Sequence, residues 1–114
     1  MIKNYGFLKR KPGLTREQFL EHWGKIHGPL FLAANVPSVR KYIQNHPVKG
    51  PGPQWESDID GIAEFWFDDL KSVESFQQWL RSPDSRGLLE DGELFIDSNA
   101  KGNNFLAEEN IIKE

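Results

Sequence analysis

The chain has 114 residues, a formal net charge of −3, no cysteine and no long basic run. That length suits one domain around one core. The composition excludes a disulfide framework and thiolate chemistry, and argues against a nucleic-acid partner. No apolar stretch approaches the roughly 20 residues that span a bilayer. The opening MIKNYGFLKRK lacks the apolar core of a signal peptide, so a cytoplasmic protein is expected.

Ile2 to Lys11 alternates weakly and reads as a strand, closed by the turn Lys11-Pro12-Gly13. Thr15 to Leu30 reads as one helix. Thr15 and Gln18 fit a capping box, and Leu14 with Phe19 fit a hydrophobic staple. Phe19, Trp23, Ile26 and Leu30 fall at helical spacing and predict one buried face. Gly28-Pro29 is expected to break or bend the helix after His27, and Pro29 to open a short turn to Asn35. His27 would then sit near a helix C-terminus. Val39 to Val48 predicts a second strand, with Tyr42, Gln44 and His46 on one face and Ile43 and Asn45 on the other. Lys49 to Asp58, centred on Gly-Pro-Gly-Pro, predicts a loop without secondary structure.

Ile59 to Asp68 is the clearest strand. Gly61, Ala63, Phe65 and Phe67 share one face, and Ile62, Glu64 and Trp66 the other. Both faces are apolar enough to be covered, which predicts a central strand. Asp68 or Asp69 caps the next helix, whose stripe is Leu70, Val73, Phe76 and Leu80. Ser82-Pro83 opens another helix that stops near Gly92. Leu94 to Asn104 reads as irregular, and Phe105 to Ile112 as the last strand. The order strand-helix-strand-strand-helix-strand is the α+β, ferredoxin-like βαββαβ unit, a four-stranded antiparallel sheet with helices on one face. A second copy is expected to cover the other face, giving a homodimer.

The chemistry points to proton transfer. On a helical wheel, at about 100° per residue, His22 flanks one edge of the apolar face and His27 the other. Their five-residue step diverges, unlike the four-residue step that lets two imidazoles share a metal, so no metal site is expected. There is no phosphate loop, dinucleotide fingerprint or nucleophile elbow, and no cofactor is expected. Tyr42 and His46 share a strand face. Tyr42 would lie opposite Glu64 if the two middle strands form a hairpin. Glu64 is either part of a proton-handling cluster or a sheet carboxylate paired with Arg40 or Lys41.

FLKRKPGLTREQFLEHWGKIHGPL resembles the opening of the EthD family, in the dimeric α+β barrel superfamily. The resemblance lies in the FLKRKPGL turn, the F-x-x-H-W-x-x-x-H-x-P-L helix, KYIQNH, DGIAEFWFDD and FLAEENII. It implies one barrel domain over residues 1–114 that dimerises and keeps a pocket between sheet and helices. Superfamily relatives include muconolactone-type isomerases, polyketide cyclases, fungal decarboxylating or dehydrating enzymes and cofactor-free quinone-forming monooxygenases. They act without metal on small cyclic or aromatic compounds. EthD members themselves accompany an oxygenase system in ethyl tert-butyl ether degradation. His27 resembles the family's histidine at the end of the first helix and is expected to be the main acid or base, with His22, Tyr42 and His46 assisting and Glu64 orienting. Two tryptophans, Trp23 and Trp66, resemble family positions near the pocket, and with Phe19 and Asn45 they are the expected substrate contacts. Two functions follow: a small cofactor-independent enzyme that isomerises, cyclises, dehydrates or oxygenates a cyclic substrate, or a binding protein beside an oxygenase.

Overall fold

The first helix starts where its cap requires. In the computed structural model, which describes residues 1–100 and 103–114, Thr15 accepts from the Gln18 backbone N–H and the Gln18 side chain accepts from Thr15 N–H. The chain runs β1 (Ile2–Leu8), α1 (Arg16–His22), a π-helical turn (Trp23–His27) and α2 (Gly28–Ala33). It continues as β2 (Lys41–Asn45), β3 (Gly61–Phe67), α3 (Leu70–Leu80), α4 (Arg86–Glu93) and β4 (Asn104–Ala107). Asp69 caps α3, and Pro83 opens a short 3-10 turn, Pro83–Ser85, that runs into α4. The stretch expected to be irregular includes Lys101 and Gly102, which lie outside the described residues.

The four strands form one antiparallel sheet in the order β2-β3-β1-β4, the ferredoxin-like arrangement. β3 and β1 are central, as the two-sided apolar pattern of β3 requires. The core lies between the sheet and the first helix, where Phe19, Trp23, Ala63 and Phe95 are buried together. Gly61 makes room for Trp23: a Cβ there would lie 2.5 Å from the indole ring. Only a residue without a side chain lets the helix sit this close to the strand.

The helix does not end at Gly28-Pro29. Pro29 has no N–H to give an α-helical bond. The chain instead widens by one residue, and Gly28 N–H bonds to the Trp23 carbonyl five residues back. It then continues helically to Ala33, so no helix C-terminus adjoins His27. The extra residue turns everything after it by about 100°. Ile26 and Leu30, expected on the buried stripe, are therefore 48% and 39% exposed, while Phe19 and Trp23 stay buried.

Other boundaries moved less. The loop from Lys49 to Asp58 holds a 3-10 turn, Pro53–Trp55. β4 pairs only over Asn104–Ala107 rather than to Ile112. Leu70 is exposed at the start of α3, and Val73 carries its buried face. At the end of the long loop, Asp60 is buried and accepts from Arg10 N–H, Arg10 Nη1 and Arg16 Nε at 2.8–2.9 Å. Burial pushes its carboxyl up, but these donors and the two guanidinium charges outweigh that and hold it below its ordinary value. The group ties the end of β1 and the start of α1 to the entry of β3.

Candidate active site

The widened turn decides where the two histidines go. In an ideal α-helix a five-residue step points them apart. With the π turn between them, both reach one carboxylate on α4. His22 Nε2 lies 3.0 Å from Asp91 Oδ1, and His27 Nδ1 lies 2.8 Å from Asp91 Oδ2. The expected divergence is thus corrected. A carboxylate only accepts, so each imidazole presents an N–H to it. That fixes the His27 tautomer: in the neutral ring Nε2 carries the lone pair, and it has no protein partner among the described residues. Phe95 backs both rings, with centroids 4.5 Å from His22 and 5.1 Å from His27. The side chains of His22, His27 and Asp91 are 23%, 14% and 10% exposed.

His27 lines a cleft of about 1140 Å³ between the sheet and the helices. Phe31, Phe65, Phe67, Phe76, Leu80 and Leu88 make its apolar wall, and Lys11, Gln77, Glu93, Asp97 and Asn104 also line it. Tyr42 lines the same cleft, stacked on Phe65 at 4.8 Å and packed on Phe31 at 4.6 Å. Burial pushes the Tyr42 hydroxyl above its ordinary value, and hydrogen bonds from Gln44 and Trp23 draw it only part of the way back. The cleft is therefore lined by one imidazole and one protonated phenol together with an aromatic and aliphatic wall. Among the described residues, no group of three or more His, Cys, Asp or Glu is arranged to hold a metal ion.

The remaining expected site residues lie elsewhere. Phe19 and Trp23 belong to the core and do not line the cleft. His46 is exposed, stacked on Trp23 at 4.9 Å and bonded to Gln44 Oε1 at 2.9 Å. Gly24 permits that stack, because a Cβ there would come within 3.3 Å of the imidazole. The register pairs Tyr42 with Phe65, and Ile43 rather than Tyr42 with Glu64. Glu64 consequently lies on the helix-free face, away from the histidines. There it accepts from Trp66 Nε1 at 2.5 Å and Asn45 Nδ2 at 3.4 Å. It pairs with neither Arg40, which is held by Asp68, nor Lys41, whose ammonium sits over the Trp66 ring. Trp66 and Asn45 are on that outer face too, so neither touches the cleft.

Residues 11–99 match the EthD domain. The chain belongs to the EthD family. Among solved structures, an EthD family protein from Bacillus halodurans C-125 is 22% identical and has a TM-score of 0.62. The match covers 96% of this chain and 99% of that one. A dimeric protein of unknown function and ferredoxin-like fold from Bacteroides fragilis is 15% identical, with a TM-score of 0.59 and coverage of 93% and 91%. At these identities the likeness establishes the fold alone. No curated protein matches the chain. Among the described residues of this EthD protein, no helix is long and apolar enough to cross a membrane.

Sequence reasoning missed Asp91, Phe95 and Phe31. A signal for the first was present. Leu88, Asp91 and Phe95 recur at steps of three and four, so one acidic residue interrupts an inward-facing apolar stripe. A carboxylate in such a position needs donors, and the two histidines of the first helix supply them.

Proposed function

We propose that this EthD protein is a small acid–base enzyme that works without metal or nucleotide on a cyclic or aromatic compound bound in the aromatic cleft. The observation that carries the reading is the His27–Asp91 pair. A lining imidazole has one nitrogen fixed by a carboxylate and the other open, which is the arrangement of a general base. Asp91 orients the ring, and His22 donates to the other oxygen of the carboxylate. Isomerisation, cyclisation and dehydration need only such proton movements. The apolar walls also suit the alternative, a protein that carries a hydrophobic metabolite beside an oxygenase.

Deuterium exchange separates the two readings. A panel of small cyclic ketones and phenols is incubated with the protein in D2O, and carbon-bound hydrogen is followed by proton NMR. Enzyme-dependent exchange, unchanged after exhaustive dialysis against a chelator, supports acid–base chemistry. Binding by quenching of tryptophan fluorescence, with no exchange or turnover for any bound compound, supports the carrier.

The proposed partner is a second copy of the chain. The helix-free face presents Tyr5, Phe7, Ile43, Ile62, Trp66 and Phe105, with Phe105 stacked on both Tyr5 and Phe7. A sheet face of this kind is covered in stable proteins, and the Bacteroides fragilis relative is described as dimeric. Sedimentation at micromolar concentration is expected to give one dimer species, with an interface of about 2,000 Å² or more. A stable monomer there would remove the barrel.

A further inference from the structure

One backbone carbonyl sets the direction of a hydrogen-bond chain along β2. The Trp23 carbonyl oxygen lies 2.8 Å from the Gln44 side-chain amide. A carbonyl only accepts, so the amide atom facing it is the nitrogen. Turning the amide over would bring two oxygens together. The same nitrogen gives its other proton to Tyr42 Oη at 2.9 Å. The amide oxygen is left to accept from His46 Nε2 at 2.9 Å. Every donor in the chain thus points from exposed His46 toward Tyr42. Because Tyr42 Oη accepts from Gln44, its own proton is directed elsewhere, and no described residue accepts it. The ring carrying that hydroxyl lines the cleft that His27 also lines.

We propose that Tyr42 is the oxygen-binding donor of the site and that the substrate is an enolisable cyclic carbonyl compound, an inference that rests on the acid–base reading above. His27 Nε2 takes a proton from the carbon beside the carbonyl. The C–H electron pair forms a C=C bond, and the carbonyl π pair moves onto oxygen, where the Tyr42 O–H holds the enolate. Where the substrate carries a β,γ double bond, return of the proton from His27 to the γ-carbon re-forms the carbonyl, moves the double bond into conjugation and gives an isomer. Alternatively the enolate expels a β-hydroxyl, which leaves as water with that same proton. Both routes balance without oxidant or reductant. The raised titration of Tyr42 keeps it a donor at neutral pH. Gln44 does not line the cleft. It is a positioning residue that holds the phenol in the donating orientation.

The probe is 4-nitrophenol, whose phenolate mimics an enolate oxygen and reports its own ionisation by visible absorbance. 4-Nitrotoluene serves as the uncharged control of the same shape. Tyr42→Phe keeps the ring stack on Phe65, and near-ultraviolet circular dichroism checks that the fold is retained. It is expected to weaken phenolate binding roughly 10- to 100-fold, the scale of a hydrogen bond to a charged group, and to leave the control unchanged. Gln44→Leu is expected to act in the same direction, because the amide donor that fixes the orientation of the Tyr42 hydroxyl is then lost. Equal losses for both probes would make Tyr42 a packing residue and overturn the proposal. So would undiminished phenolate binding by Tyr42→Phe, or no phenolate binding by the natural protein. Phenolate binding that depends on Tyr42, in a protein that exchanges no carbon-bound hydrogen, keeps the donor and removes the acid–base reading. Full exchange in Tyr42→Phe keeps the base and removes the donor.

Discussion

Trp23→Ala is expected to destabilise the fold by about 3–5 kcal/mol, the usual loss on truncating a fully buried tryptophan. The side chain is 1% exposed and touches partners on three sides. Phe19 packs at 5.7 Å, His46 stacks at 4.9 Å with an interplanar angle of 12°, and Gly61 lies under the ring. Gly61 has no side chain to collapse into the space, so the cavity persists and adds to the lost transfer energy. A domain of this size has roughly 5–15 kcal/mol in total, so the variant stands close to its unfolding threshold. Urea unfolding checks it through a lower midpoint at unchanged slope. A loss below about 1 kcal/mol would mean that the indole is not the keystone between helix and sheet. The experiment also bears on Trp23 as a substrate wall, since a wall residue changes ligand affinity more than stability.

The order of strands and helices was legible because local signals agreed. The capping box at Thr15, the alternation of β3 and Pro83 at the first position of its turn each match what formed, although the Ser82 hydroxyl expected to cap that turn instead donates to the Trp79 carbonyl. The helix face after Trp23 was not legible, because wheel arithmetic assumes a constant pitch. Proline at position 29 removed one donor, the turn from Trp23 to His27 took up an extra residue, and the phase of everything beyond shifted. The same shift hid the site. Under α-helical geometry His22 and His27 diverge, and only the wide turn brings both onto Asp91 of α4. The place of Glu64 failed for another reason. The loop between β2 and β3 is long, so no tight turn fixes their register, and a slip of one residue moves a side chain to the other face. Tyr42 and Gln44 were on the right face because alternation within one strand does not depend on its partner.

His27→Ala is expected to lower enzyme-dependent exchange roughly 100-fold or more, the scale of general acid–base catalysis. No helix C-terminus adjoins His27, since the helix runs past it to Ala33. Asp91 sets the tautomer of the ring. With Nδ1–H committed to the carboxylate, the lone pair of the neutral ring is at Nε2, on the ring that faces the cleft. Asp91→Asn tests that directly. An asparagine whose amide nitrogen faced Nδ1 would donate rather than accept and would drive the ring proton to Nε2, removing the base while leaving the imidazole in place. Exchange should then fall about as far as in His27→Ala, although one variant keeps the histidine. Stability should fall by about 1–3 kcal/mol in His27→Ala, since one buried hydrogen bond to Asp91 is lost while His22 retains the other. A folded His27→Ala protein that exchanges at the full rate would show that the pair only staples the first helix to α4.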